Sequence, residues 1–432
     1  MEKLSREDAR LVAIAAQGLD APGAGVVPVV ERTGFLRTLG GVEAYLALFA
    51  RVAGLREIDV RRALAADTVR VSPAVRGCIY VVPRRDAAVA MRFAAQLSSE
   101  RLENESAKAG IKKGELEKLG EKVLAALAGA PLSTEGLKQA LPGGSVRALG
   151  EAGKKVGISS TLPPALRMLE HQDRIERVPE SLRLDSEKYV WRPVGRHDGQ
   201  GVAPGTELAR LGEVFLRAAG VGQVKEFAAW AGVAQRDARA VLEALPSVEV
   251  TVEGVAAPGL MLASDLRSLL ERRPAAKEAV ALLPLEDNLH HLHAGPSAFV
   301  EEKHHGVTIK GFGKDPSSKL GRSKHLAQRA VLAEGKLVGF WDYDPDARQA
   351  VTALFDEVTA ETQDRIDAAA AATGRFLADE IGHGRTFSLD TDDYLRQRVA
   401  WLRSLRPSKR VTGGRRGRSP SAGAGAPPRS GR

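Results

Sequence analysis

Apolar side chains recur at helical spacing from Gly114 onward. Leu116, Leu119, Val123, Leu124 and Leu127 form one stripe, and Ala130-Pro131 ends it. A second short helix follows, capped by Ser133 or Thr134, with Leu137 and Leu141 inward, and Pro142-Gly143-Gly144 stops it. A third starts at Pro163-Pro164, where the first turn tolerates proline, and carries Ala165, Leu166, Met168 and Leu169. Residues 175–178 and 189–192 then alternate like two strands around a polar turn. Three helices followed by a hairpin is the order of a winged helix-turn-helix.

The same order returns downstream. Leu208, Leu211, Val214, Phe215 and Ala218 make one stripe. Val224, Phe227, Ala228 and Trp230 make a short helix ending at Gly232, and Ala238, Val241, Leu242 and Leu245 make a third. Residues 248–252 and 260–262 close a hairpin. This is a repeat of architecture and not of sequence. The N-terminal region is a looser version, with helices at 9–18, 42–52 and 58–65, a strand pair at 69–71 and 78–83, and a helix at about 85–97. After about Lys277 the pattern changes to an apolar run at 279–284, a hairpin at 330–341 turning at Glu334-Gly335-Lys336, and helices at about 345–357 and 362–379. The fold class predicted is α+β: three tandem winged helix-turn-helix domains at 1–112, 113–200 and 201–275, then a small β-rich α+β domain at 276–405 and a tail at 406–432.

Composition and charge refine this. A chain of 432 residues with 44% apolar and 27% charged residues is ordinary for a globular protein of several domains. No stretch reaches 18 consecutive apolar residues, so no transmembrane helix is expected. The charged N-terminus carries no apolar leader, so no secretory signal is expected. Cys78 is the only cysteine, which excludes an internal disulfide framework and argues against a thiolate zinc site. A reducing cytoplasmic compartment fits, at the nucleoid if the source is bacterial. The net charge of +9 is concentrated. The tail has eight basic residues and no acidic one, leaving 55 basic against 54 acidic before it. With a single Val and no other large apolar side chain, the tail reads as disordered, either a counterion-releasing arm on a nucleic-acid backbone or a solubilising extension. Residues 341–405 are acidic, with 13 acidic and 7 basic side chains, so the basic charge of the body lies in 1–340.

Several segments resemble one family in order along the chain. Leu11-Val12-Ala13-Ile14-Ala15-Ala16-Gln17-Gly18-Leu19 resembles the opening helix of the AlkZ-like tandem winged-helix DNA glycosylases. Leu39-Gly40-Gly41-Val42-Glu43-Ala44-Tyr45 is similar to the stretch where the family carries Gly-X-Gln-X-Gln. Arg76-Gly77-Cys78-Ile79-Tyr80-Val81-Val82-Pro83 resembles the family's Arg-Gly-Thr-Leu-His-Leu-Val-Pro. Phe227–Gly232, Leu282-Leu283-Pro284 with Asp287, and the late hairpin from Glu334 to Trp341 are similar as well. The resemblance runs from about residue 9 to about 400. It implies winged helices arranged around duplex DNA and hydrolysis of the N-glycosidic bond of alkylated or crosslinked purines. It further implies that no metal or organic cofactor takes part and that paired glutamines hold the attacking water. This sequence departs from the pattern there: Glu43 and Tyr45 stand at the glutamine positions, and Tyr80 stands at a family histidine.

The candidate catalytic residues are therefore Glu43, a carboxylate able to orient water as a base, and Tyr45, which cannot mimic an amide. Glu43 also reads as a solvated first-turn glutamate favoured by the helix dipole. Tyr45 and Tyr80 read either as core aromatics or as stacking surfaces for DNA. Arg76 at a strand turn, Lys154 and Lys155 before the third helix of the second domain, Arg167 on that helix, and Arg183 and Lys188 beside its wing turn are candidate DNA contacts. His290, His291 and His293, with His304 and His305, suggest zinc beside Glu286, Asp287, Glu301 and Glu302, but no fixed ligand spacing is present, and no metal is assigned. Asp342, Asp344 and Asp346 read as an acidic turn. Gly311-Phe312-Gly313-Lys314 lacks phosphate-loop spacing. The partner expected is double-stranded DNA, bound by a monomer without a membrane. The function expected is a monofunctional DNA glycosylase; the alternatives are a non-catalytic DNA-binding or regulatory protein on the same scaffold, or winged helices packed on protein partners.

Overall fold

The computed structural model describes residues 2–195, 205–311 and 317–405, so the tail at 406–432 and residues 312–314 of the glycine stretch lie outside the described residues. The fold is mixed α+β. In the second unit, helices Glu115–Leu127, Thr134–Ala140 and Leu162–His171 precede strands Ile175–Pro179 and Tyr189–Pro193. Ser133 is the cap, its hydroxyl accepting from the Gly136 amide at 3.0 Å. A two-residue strand, Leu132–Ser133, joins the edge of the hairpin. The loop between the second and third predicted helices is itself partly helical, at Gly150–Lys155. Leu119, Val123, Leu137, Leu166, Leu169 and Trp191 form a core that belongs to this unit alone.

The third unit has helices Glu207–Ala219, Val224–Ala231 and Gln235–Ala244 and strands Ser247–Val252 and Gly259–Leu262. Gly232, at φ +81°, ends its second helix in the left-handed region, as a glycine there should. A strand at the extreme N-terminus, Glu2–Leu4, pairs in parallel with Ser247–Val252, a long-range pairing that local patterning does not signal. The first unit has helices Arg6–Ala16, Val26–Arg32, Glu43–Phe49 and Glu57–Ala65. Its hairpin, Val69–Pro73 with Ile79–Pro83, takes Leu36–Arg37 as a third strand. The following helix, Ala87–Lys108, runs eleven residues beyond the expected end at 97.

The C-terminal region holds a four-stranded antiparallel sheet in the order Ala281–Leu283, Arg329–Ala333, Lys336–Asp344 and Gln349–Leu354. The predicted hairpin is present, turning through Glu334 and Gly335 at φ +51° and +71°. The helix expected at about 345–357 is absent: 349–354 is a strand, paired from Gly339↔Leu354 to Asp344↔Gln349. Ala350, Val351, Ala353 and Leu354 fit helical spacing, but the free edge of the preceding strand decides the outcome. Helices Ala360–Arg375 and Asp392–Ser404 cover this sheet, the second of them unpredicted. One hydrophobic cluster joins the first unit to this region, and another joins the first unit to the third. Among the described residues no helix is long and apolar enough to cross a membrane.

Candidate functional site

Glu43 opens its helix directly after Gly40-Gly41. The backbone of that loop sits against the C-terminal segment: the Val42 amide donates to the Arg385 carbonyl at 2.9 Å, and a Cβ on Gly41 would overlap the carbonyl oxygens of Arg385 and Thr386. This places the Glu43 side chain in the interior, where it is 2% exposed. Its Oε2 accepts from the Leu285 amide at 2.7 Å, and its Oε1 accepts from Nε and Nη2 of Arg329. Arg329, wholly buried, also donates to Asp342 Oδ1 at 3.0 Å and to the Gly384 carbonyl at 2.8 Å. Arg398 completes the chain, with Nε 2.6 Å from Asp342 Oδ2 and a further bond to the Thr386 hydroxyl. Burial works against the Arg329 charge, but Glu43 and Asp342 outweigh it and hold its pKa above the ordinary guanidinium value. The solvated first-turn glutamate considered for Glu43 is therefore not what the fold makes of it.

A cavity of about 400 Å³ has Arg329 in its wall. Leu285, Arg329, Arg398, Gln328, Lys310 and Trp401 line it, with Phe387 and Tyr394. Its volume is in the range of small-molecule sites.

A second charged cluster stands one residue further along the same segment. Glu286, at φ +56°, is buried, and its Oε2 meets Arg37 Nη1 at 3.2 Å, His325 Nδ1 at 3.0 Å and His291 Nδ1 at 3.4 Å. Its Oε1 accepts from the Leu326 amide at 2.8 Å. Burial raises the Glu286 pKa, but the two imidazoles more than offset it and hold the carboxyl well below the usual range. Burial also lowers His291, which is the neutral form needed for Nδ1 to donate to Glu286 while Nε2 accepts from Arg76 Nη2 at 2.5 Å. Asp287, next in sequence, caps helix Asn288–His291 and is clamped by Arg51 at 2.9 and 2.7 Å. Glu286, His291 and His325 offer three ligand atoms within 4.8 Å of one another, a donor set zinc accepts. Arg37 and Arg76 already occupy the Glu286 oxygen and the outer His291 nitrogen, so the local charge balance opposes a divalent cation.

The other residues singled out from sequence divide into two groups. Tyr45 is buried, its hydroxyl accepting from the Leu184 amide at 3.1 Å, and burial pushes its pKa up. Tyr80 is fully buried beside Val82, Phe93 and Leu216, so its ring offers no stacking face and the core reading replaces the DNA-stacking one. Arg76, at φ +56°, turns inward to His291. Arg183 is tied bidentately to Asp185 at 2.9 and 2.6 Å and to the Ile381 carbonyl at 2.9 Å, which binds the wing turn to the C-terminal segment. Lys154, Lys155, Arg167 and Lys188 are exposed on the second unit. Lys154 pairs with Glu151 at 2.6 Å and Arg167 with Glu105 at 3.6 Å. The histidines scatter: His290 is buried with neither ring nitrogen partnered among the described residues, His293 faces Glu226 at 3.8 Å, and His304 faces Asp356 at 2.9 Å. Asp344 does form a turn, accepting from the Asp346 and Ala347 amides. Arg329, Arg398, Arg37 and His325 carried no signal in the sequence, because each meets its carboxylate only through the fold.

A family model for AlkZ-like DNA glycosylases matches residues 30–376, about four-fifths of the chain. Among solved structures, the Streptomyces sahachiroi DNA glycosylase AlkZ is similar in fold, with a TM-score of 0.63 at 16% sequence identity, covering 86% of this chain and 97% of that one. No curated protein sequence matches. The Gly384–Phe387 stretch that seats on Gly40-Gly41 lies beyond the end of the family match.

Proposed function

This chain belongs to the AlkZ-like family of DNA glycosylases, and from that membership we propose that it hydrolyses the N-glycosidic bond of alkylated or crosslinked purines in double-stranded DNA. In this reading it works as a monomer in the cytoplasm, without a metal or organic cofactor. The three helix-and-hairpin units act as winged helices, and exposed Lys154, Lys155, Arg167 and Lys188 contact the DNA backbone. The observation that carries the reading is the position of Glu43. By resemblance it stands where the family carries its first glutamine, and its carboxylate is bonded to Arg329 and to the Leu285 amide, both residues of the wall of the 400 Å³ cavity.

Alkylation at N7 puts a positive charge on the purine ring, so the base leaves without being protonated. Water adds its oxygen to C1′ as the C1′–N9 bond breaks, and the bonding pair neutralises the purine. The water proton passes to Glu43, whose charge also opposes the positive charge building on the sugar. Glu43 can do this when Arg329 shifts its hydrogen bond from Oε1 to a DNA phosphate. Tyr45 serves as a positioning residue, holding the 182–185 segment through the Leu184 amide.

One observation favours a second reading, a non-catalytic DNA-binding or regulatory protein on the same scaffold: both Glu43 oxygens are already committed. The test is incubation with duplex carrying N7-alkylguanine or an interstrand crosslink, scoring abasic sites beside Glu43→Gln. The Gln variant keeps hydrogen-bonding capacity but accepts no proton, and release should fall at least about 100-fold. No release from any lesion, with binding intact, establishes the second reading.

A further inference from the structure

A second hollow, of about 310 Å³, shares no lining residue with the cavity that Arg329 lines. It lies where helices Arg6–Ala16 and Val26–Arg32 of the first unit meet helix Glu207–Ala219 of the third and helix Leu266–Glu271. Four arginines, Arg32, Arg85, Arg217 and Arg272, line it against two acids, Glu31 and Asp265. Three of the four have direct partners. Arg85 meets Glu31 at 3.1 Å, Arg217 meets Glu213 at 3.0 Å, and Arg272 Nε donates to Asp20 at 2.8 Å. Glu213 and Asp20 stand outside the lining.

Arg32 differs from the other three. It has neither a hydrogen bond nor a salt bridge among the described residues. Nor is it a loose surface side chain. Its guanidinium lies directly over Gly18, where an added Cβ would overlap Nη2 and Cζ. Burial pulls its pKa below the ordinary guanidinium value, Arg272 and Arg51 push the same way, and Asp20 opposes them. A half-buried cation among like charges is unfavourable unless an anion meets it. The wall also selects the anion. Four guanidiniums against two carboxylates leave two positive charges, which a doubly charged oxyanion matches better than a single carboxylate does. The planar fork of N–H donors on Arg32 fits two oxygens of such a group.

We propose that this hollow is a phosphate-binding site in which Arg32 takes the phosphate oxygens and Arg85, Arg217 and Arg272 supply the surrounding positive field. The phosphate is either free, as inorganic phosphate or a phosphomonoester, or part of a DNA backbone that reaches the junction of the first and third units. The chemistry of recognition is the same for both, and it stands apart from Glu43 and from hydrolysis.

The first arm of the test titrates inorganic phosphate into the full-length protein by calorimetry, with ionic strength held constant by sodium chloride. Wild type should bind a single equivalent saturably, and phosphate should raise its melting temperature. Arg32→Gln should weaken that binding by at least about tenfold, as the loss of charge-assisted hydrogen bonds does, and Arg217→Gln by about threefold. Arg32 leaves no partner stranded, so Arg32→Gln should melt at the wild-type temperature in chloride alone. If it melts lower, Arg217→Gln decides. The second arm measures affinity for an undamaged duplex over a range of salt. A phosphate that belongs to the backbone requires Arg32→Gln to reduce the slope of log affinity against log salt by about 1. Phosphate binding lost in the variant with an unchanged slope assigns the free anion, and a reduced slope assigns the backbone; both keep the site. Phosphate binding that neither variant weakens, or no phosphate binding together with an unchanged slope, overturns the proposal. Neither arm scores base release, so the outcome does not depend on the hydrolysis reading.

Discussion

Two buried charge networks lie within one residue of each other, and they are built differently. Around Glu43 every charge has its counterpart: Arg329 faces Glu43 and Asp342, and Arg398 faces Asp342 and Thr386. Around Glu286 one carboxylate oxygen is shared among Arg37, His291 and His325, His325 is 47% exposed, and the Arg76 and Arg37 Nε atoms are buried without partners among the described residues. The first network is closed and joins the first unit to the C-terminal sheet. The second is open at His325 and contains two histidines. A carboxylate at a family's catalytic position is thus not the more chemically available one merely because of where it stands. Reactivity follows from how many of its lone pairs the fold has already used.

The largest effect should come from opening the closed network. Arg329→Met leaves Glu43 and Asp342 buried without their shared cation, and removing one partner of a buried pair typically costs about 3–5 kcal/mol. Chemical denaturation should report a loss of that size, with Glu43→Gln/Arg329→Met recovering part of it. If Arg329→Met alone is nearly neutral, the network is not closed in solution and the comparison fails. Gly41→Ala attacks the same junction from the backbone side. A methyl group there meets the Arg385 and Thr386 carbonyls, so a loss of roughly 1–3 kcal/mol is expected, the range for overpacking.

Next in size is a pH effect from the histidines at and beside the open network. Burial pulls His290 down to about 4, against the opposing pull of Asp287 and Glu286, and it lowers His291 too. An unfolded histidine titrates near about 6.5. Between those values the unfolded chain binds more protons than the folded one, so stability falls as pH falls through that window. His290 alone contributes roughly 3 kcal/mol by pH 4 on this basis. Glu286 adds to the loss at lower pH: its folded pKa is depressed, so its contribution is present above an unfolded value of about 4.3 and disappears below it. Denaturation midpoints at pH 7.5, 6 and 4.5 should decline steadily, and His290→Leu should flatten the upper part of that slope. An unchanged slope in the variant would assign the titration elsewhere.

How much of this was legible in the sequence depends on the range of the interaction. The second unit was read almost element by element, because its stripes, caps and turn prolines act within a few residues and its core is its own. The late hairpin was read from Glu334-Gly335 for the same reason. Long-range pairings were not. The partner of Glu43 is 286 positions away, that of Arg183 is 198 away, and strand Glu2–Leu4 pairs with residues near 250. The 349–354 segment satisfied both periodicities, and only a neighbouring strand edge, invisible to local patterning, made it β. The site followed the same rule. Glu43 and Tyr45 could be named by position, but their burial is a property of the C-terminal segment that covers them.

The smallest effect tests the surface against the interior. Lys155 is exposed at the end of helix Gly150–Lys155, whereas Arg183, 24% exposed, is committed to Asp185 and the Ile381 carbonyl. If the second unit lies on the phosphate backbone, Lys155→Ala should reduce the slope of log affinity against log salt by about 1, with stability unchanged. Arg183→Ala should do the reverse, leaving the salt slope in place and lowering the melting temperature by loosening the wing turn from the C-terminal segment. Duplex binding from 50 to 200 mM salt, beside thermal melting of each variant, separates the two. A changed slope for Arg183→Ala would mean that its ion pair opens on DNA. Exposure in the free protein would then be the wrong criterion for choosing contacts, and the inward-turned Arg76 would rejoin Lys154, Lys155, Arg167 and Lys188 as backbone contacts.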